Sequence, residues 1–317
     1  MSKRSWKEHL LSSGLPLEYS VARVFEQLEN WRPKEFSYER KNAEGVPTIF
    51  SVDLHATRIH RDRCWFETLV ECKYRHDGTK WIFTPFVNED PWINPDPAYV
   101  FVALDQCCDR TVDREKLAEV VKDYPCCEKG IEILPEDANP KTIEQALQQL
   151  RYGVAAKAVD SLQHQMYKLG RDPTPVFVIF PVIVTTAELW RLKVGATVED
   201  VRNAEEISAV AETFDALIVS QTPNNLDAKH THEMIHSELS RSQQITTLRE
   251  MLQRTSGREL NDFLGYLANH VPSMFAVITY SSFYAVMKKL NDFFTEAELL
   301  KPREDKNKDQ ETQTPIQ

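Results

Sequence analysis

"CWFETLVECKY", Cys64–Tyr74, decides how the chain is read. Its residues alternate, with Phe66, Val70, Cys72 and Tyr74 on one side and Glu67, Leu69, Glu71 and Lys73 on the other. An alternation of period two predicts a strand, because successive side chains of a strand leave opposite faces. A carboxylate and an ammonium, Glu71 and Lys73, then share one face of an otherwise apolar strand. The preceding segment "TIFSVDLHAT", Thr48–Thr57, reads the same way. It predicts Phe50, Val52 and Leu54 on one face and Ser51, Asp53 and His55 on the other. The short polar piece between them predicts a hairpin or meander, which brings Asp53 toward Glu71 and Lys73.

Outward from this pair, "SSGLPLEYSVARVFEQLENW", Ser12–Trp31, opens with turn and cap residues. It continues as a helix whose apolar face is Leu17, Val21, Val24 and Leu28. From 86 to 140 the chain is irregular and reads as an insertion, with a short strand at "YVFVAL" and a short helix at "DREKLAEVVKDY". The best long helix is "NPKTIEQALQQLRYGVAAKAVDSLQHQMYKL", Asn139–Leu169, capped by Asn139 or Thr142. Ile143, Ala146, Leu147, Leu150 and Val154 form its apolar face. "PVFVIFPVIVTTAELWRLK" is nearly continuously β-branched and aromatic, as expected of a strand covered on both sides. "FDALIVSQ" and "SMFAVITYSS" predict further strands. The expected fold class is α/β, with a mixed central sheet flanked by helices. Residues 1–195 form the core, 196–300 an α/β extension packed on or beside it, and 301–317 a disordered tail.

The chain of 317 residues is 42% hydrophobic, and 38 Lys+Arg against 48 Asp+Glu leave a net charge of −10. Bulk charge therefore does not advertise nucleic-acid binding, and any such contact must be local. The basic residues Arg40, Lys41, Arg58, Arg61, Arg63, Arg75 and Lys80 supply a local cluster. No run is apolar enough to span a bilayer, and the N-terminus does not read as a secretory signal. The six cysteines include the adjacent pairs Cys107-Cys108 and Cys126-Cys127 but no CxxC. They predict reduced, packed thiols in a cytoplasmic protein.

Asp53 followed by Glu71-Cys72-Lys73 resembles the signature of the PD-(D/E)xK nucleases, which have a restriction-endonuclease-like fold. "GLPLE", Gly14–Glu18, resembles the G-h-x-x-E element on the first helix of Mrr-like and RecB-like members. "QQLRY" resembles their Q-x-x-x-Y element through Gln148 and Tyr152, or through Gln149 in the other register. Ser51-Val52 precede Asp53 where a proline is common.

The resemblance implies hydrolysis of phosphodiester bonds in DNA, ahead of RNA, in restriction, defence or repair. Mg²⁺ or Mn²⁺ is its cofactor, held by Asp53, Glu71 and the Cys72 carbonyl, with Glu18 adding a ligand or supporting the others. Lys73 orients or activates the attacking water. Gln148 and Tyr152 support the site or touch substrate, and His55 is a further contact. Cutting both strands of a duplex leaves a homodimer open.

A rival motif is "HEMIH", His232–His236, which on a helix sets two imidazoles on one face with Glu233 as base, as in zinc metallopeptidases. The sequence offers no third ligand at a fitting distance. A non-catalytic nucleic-acid-binding protein on a nuclease-like fold is the other alternative.

Overall fold

The computed structural model describes residues 5–41, 45–60, 64–86, 96–134, 138–139, 141–168, 174–221, 225–240 and 245–303. Arg61 and Arg63, the side chain of Lys41, and 304–317 of the expected tail lie outside the described residues. Nine helices are described: α1 (Trp6–Ser12), α2 (Leu15–Gln27), α3 (Arg114–Val121), α4 (Thr142–Lys168), α5 (Val198–Asn203), α6 (Asn225–Ser240), α7 (Ile245–Ser256), α8 (Leu260–His270) and α9 (Tyr280–Glu296). The first eight strands described are β1 (Trp31–Lys41), β2 (Pro47–His60), β3 (Cys64–Lys73), β4 (Lys80–Pro85), β5 (Val102–Leu104), β6 (Arg110–Val112), β7 (Cys126–Ile133) and β8 (Ala138–Asn139). They are followed by β9 (Val176–Thr185), β10 (Glu188–Leu192), β11 (Ala211–Phe214), β12 (Ala216–Ser220), β13 (Met274–Thr279) and β14 (Leu300–Pro302).

One large mixed sheet runs in the order β1-β2-β3-β9-β13-β12-β7-β4-β10-β11. β1, β2 and β3 form an antiparallel meander, and β3, β9 and β13 are parallel neighbours. β9 is buried along its whole length, which is why its sequence shows no alternation. The sheet separates two apolar cores. Leu17, Val21 and Phe25 of α2 meet Phe283, Met287 and Phe294 of α9 against Phe66, Val70 and Cys72. On the other face, α4, α6, α7 and α8 cover Leu69, Ile179, Ile183, Val219 and Val277. The alternation read for β3 thus holds.

Four expectations change. Val52 and Leu54 do not share a face: Val52 packs on the α4 side and Leu54 on the α2 side. Between the pairs Lys34↔His55 and Phe36↔Val52, one β1 residue, Glu35, faces two β2 residues, Asp53 and Leu54. That is a β-bulge, and it breaks the alternation. The segment 196–300 does not lie beside the core, since β12 and β13 stand in mid-sheet. The expected insertion likewise supplies β7 to the same sheet, between β12 and β4. At the expected tail, β14 pairs with β6, and Arg303 donates to the Asp105 carbonyl at 2.6 Å. Among the described residues no helix is long and apolar enough to cross a membrane.

Candidate active site

The β2–β3 ladder ends at Leu54↔Val70, while β3 continues to Lys73 against β9. Beyond that point the two strands no longer bond to each other, and a cleft of about 550 Å³ opens at the carboxyl end of β3. Glu18, Asp53, Glu71, Lys73, Gln148 and Gln149 all line it. These residues come from α2, β2, β3 and α4, elements far apart in the chain.

The Cys72 N–H, which has no β2 carbonyl to bond, donates to Asp53 Oδ2 at 2.7 Å. Lys73 Nζ donates to Glu71 Oε1 at 2.5 Å and to Gln149 Oε1 at 3.0 Å. On α4, Gln149 holds the lysine, and Gln148 lines the same cleft. Gly14 caps α2 with a φ of 82°, a conformation that favours glycine. A Cβ there would stand 3.0 Å from Glu18 Oε1, so the glycine also gives the glutamate room. The buried Cys72 side chain belongs to the apolar core, and only its backbone faces this chemistry.

Charge in the cleft is unbalanced. Burial, then the nearby Asp53, pushes the Glu71 carboxyl up to about 7. Burial raises the Asp53 carboxyl too, and the Cys72 N–H and Lys73 offset this only in part. Glu18 is raised by burial and by Asp53. Three carboxylates that disfavour one another's charge are a setting for a cation. Among the described residues no three or more His, Cys, Asp or Glu side chains close on a point that could hold a metal.

No family model, curated protein or solved structure matches this chain. The site stands on its own geometry.

His55 does not reach the cleft. It is buried, and its Nε2 meets the Glu67 carboxylate, which also accepts from Thr57 Oγ1 at 2.8 Å and lies 3.6 Å from Lys157 Nζ. Burial alone would raise Glu67, but His55 and Lys157 together hold its carboxyl below the usual range. This is a structural network beneath α4. Tyr152 is also buried, and its ring lies 3.7 Å from the Arg40 guanidinium. Arg58, read as a phosphate contact, is buried and donates to Thr295. Lys80 pairs with Glu188 at 3.7 Å.

His232, Glu233 and His236 do lie on α6, with the imidazoles 6.1 Å apart. Glu233 is exposed and lies 4.0 Å from Lys229. No third ligand joins them among the described residues.

Sequence reasoning missed Glu132. This buried carboxylate of β7 accepts from Arg75 Nε, from Trp81 Nε1 at 2.8 Å and from Thr142 Oγ1 at 3.1 Å. It anchors Arg75 and the start of α4 at the rim of the cleft. Its only signal in the sequence is an acid set between Ile131 and Ile133.

Proposed function

We propose that this chain is a divalent-metal-dependent nuclease with a restriction-endonuclease-like core, hydrolysing phosphodiester bonds of DNA. The observation that carries the reading is the convergence of Glu18, Asp53, Glu71 and Lys73 in one cleft where β2 and β3 part. Asp53, Glu71 and the Cys72 carbonyl would hold Mg²⁺ or Mn²⁺, with Glu18 beside them. The bound ion would lower the pKa of a water and offset charge on the phosphate. Lys73 Nζ, held between Glu71 and Gln149, would orient that water or stabilise the developing anion. Gln149 positions Lys73 and needs no contact with substrate. The Cys72 N–H fixes one Asp53 oxygen and leaves the other for a ligand.

The test is incubation of the protein with plasmid and linear DNA in Mg²⁺, Mn²⁺ or EDTA. Cleavage should require the metal, disappear in Lys73→Ala and persist in His232→Ala. Cleavage that survives Lys73→Ala, or no cleavage of any DNA, defeats the reading. Bound zinc that is lost in His236→Ala would favour the peptidase alternative instead.

A further inference from the structure

Two arginines are held by α4 or by what packs on it, Arg75 in the lining of the cleft and Arg40 outside it, against Tyr152. Arg75 lines the cleft with Nε on Glu132 and Nη1 on the Tyr74 carbonyl at 2.6 Å. Glu132 in turn accepts from Thr142, the first residue of α4. Nη2 of Arg75 has no hydrogen bond among the described residues. Three residues beyond Gln149 on α4 stands Tyr152, and the Arg40 guanidinium lies 3.7 Å from its ring and 4.7 Å from the Phe50 ring. Arg40 has no carboxylate partner among the described residues, and its Nε is buried without a hydrogen bond. Tyr38, two residues before Arg40 on the same strand, lies against Gly153 of α4 beside Val52, so Arg40 stands on the α4 side of the sheet.

Thr142 and Tyr152 are ten residues apart on α4, about 15 Å along its axis. Lys73, tied to Gln149, falls between them. Three cations thus follow the first three turns of α4, each fixed in orientation before any ligand arrives. An arginine whose plane is set by rings or by a carboxylate loses little freedom on meeting a phosphate. About 15 Å corresponds to roughly four to five nucleotides of a duplex strand at 3.4 Å each.

We infer that Arg75, in the cleft, and Arg40, farther along α4 beyond it, are backbone clamps, so that the substrate is a polynucleotide strand spanning roughly four to five nucleotides rather than a small phosphodiester. Tyr152 is a positioning residue that acts through Arg40. This inference rests on the nuclease reading and names the substrate of that same site.

The test is binding of the full chain to fluorescent DNA oligonucleotides of 2 to 12 nucleotides, single- and double-stranded, in EDTA across a salt series. For the wild type, affinity should rise steeply up to roughly five nucleotides and then level. Arg40→Gln and Arg75→Gln should each lower the slope of log K against log salt by about 0.7–0.9, without changing sequence preference. Tyr152→Ala should reproduce the Arg40→Gln loss, and the two together should cost no more than either alone. Tyr152→Phe, which keeps the ring, should restore the slope. Unchanged slopes in both arginine variants, or a dinucleotide bound as tightly as a 12-mer, overturn the clamp while leaving metal-dependent cleavage intact. A clamped strand that is never cut in Mg²⁺ or Mn²⁺ leaves the clamp standing and defeats the nuclease reading. No binding by the wild type, in EDTA or in Ca²⁺, overturns the clamp, and the cleavage assay in Mg²⁺ or Mn²⁺ still decides the nuclease reading.

Discussion

Glu71 makes the candidate site costly to hold together without a cation, and the cost can be measured. Its carboxyl rises from an ordinary 4.5 to about 7, so the ionised form weakens the metal-free fold by about 3 kcal/mol. The residue is 4% exposed, so solvent screening gives little relief. For an acid whose folded pKa is raised, the stability is fully present below pH 4.5 and is lost as the pH climbs through 7. Glu71→Gln removes the titration while keeping an oxygen that can accept from Lys73. In EDTA the variant should therefore gain on the wild type as the pH rises from 4.5 to 8, by roughly 3 kcal/mol in all. At ~2.1 cal/mol/K per residue over 317 residues, that is about 4–5 °C in melting temperature at pH 8. Thermal melts of both proteins across this range, in EDTA and then in Mg²⁺, make the measurement. Mg²⁺ should close the gap by stabilising the wild type alone. A gap that is flat with pH, or a variant less stable than the wild type at pH 8, would refute the reasoning that links Glu71 to uncompensated charge.

Other outcomes follow from single contacts. Lys73→Ala should abolish detectable DNA cleavage, and Gln149→Ala should slow it by roughly tenfold, the worth of one hydrogen bond to a charge; single-turnover assays separate them. Gly153→Ala should cost about 1–3 kcal/mol in a urea melt, because a Cβ there would sit 2.6 Å from Val52 Cγ2 and press α4 off β2. His55→Ala should cost about 3–5 kcal/mol, since it strips the buried Glu67 of a partner. Because Glu67 is held low in the fold, the stability it supplies is present above its ordinary pKa of 4.5 and lost as the pH falls. The variant's acid-unfolding curve should flatten accordingly.

Much of the site was legible because it lies on regular pieces. β3 alternates cleanly, so Glu71 and Lys73 could be assigned one face, and Gly14 marks the start of the helix that carries Glu18. The order of the sheet was not legible. A continuously apolar run says that a strand is covered on both faces, but not which strands are its neighbours. β9 lies between β3 and β13 through packing that no local pattern encodes. The α4 register was ambiguous for a related reason. The apolar stripe of Ile143, Ala146, Leu147, Leu150 and Val154 is only part of what the helix buries, which includes polar positions such as Arg151, Lys157 and Gln165, so the stripe does not set Gln148 against Gln149. The pairing of Arg75 with Glu132 joins strands of different parts of the sheet, and a single chain carries no trace of it.

The bulge in β2 shows why a local rule can fail at the place that matters. Leu54 and Ala56 pack on the α2 side, and His55 and Thr57 meet Glu67 on the other. Continued regularly, that alternation would turn Val52 toward α2, leaving the α4 side without the contact that Gly153 makes with it. The extra residue opposite Glu35 lets Val52 close one core and Leu54 the other, and Asp53, between them, joins neither. Its carboxylate is then available to the Cys72 N–H that the ended ladder leaves over. A strand without the bulge would fill both cores less well and would also lack a reason to hold a half-buried aspartate at that spot. The irregularity that spoils the face assignment of Phe50, Val52 and Leu54 is thus the feature that delivers Asp53 to the cleft.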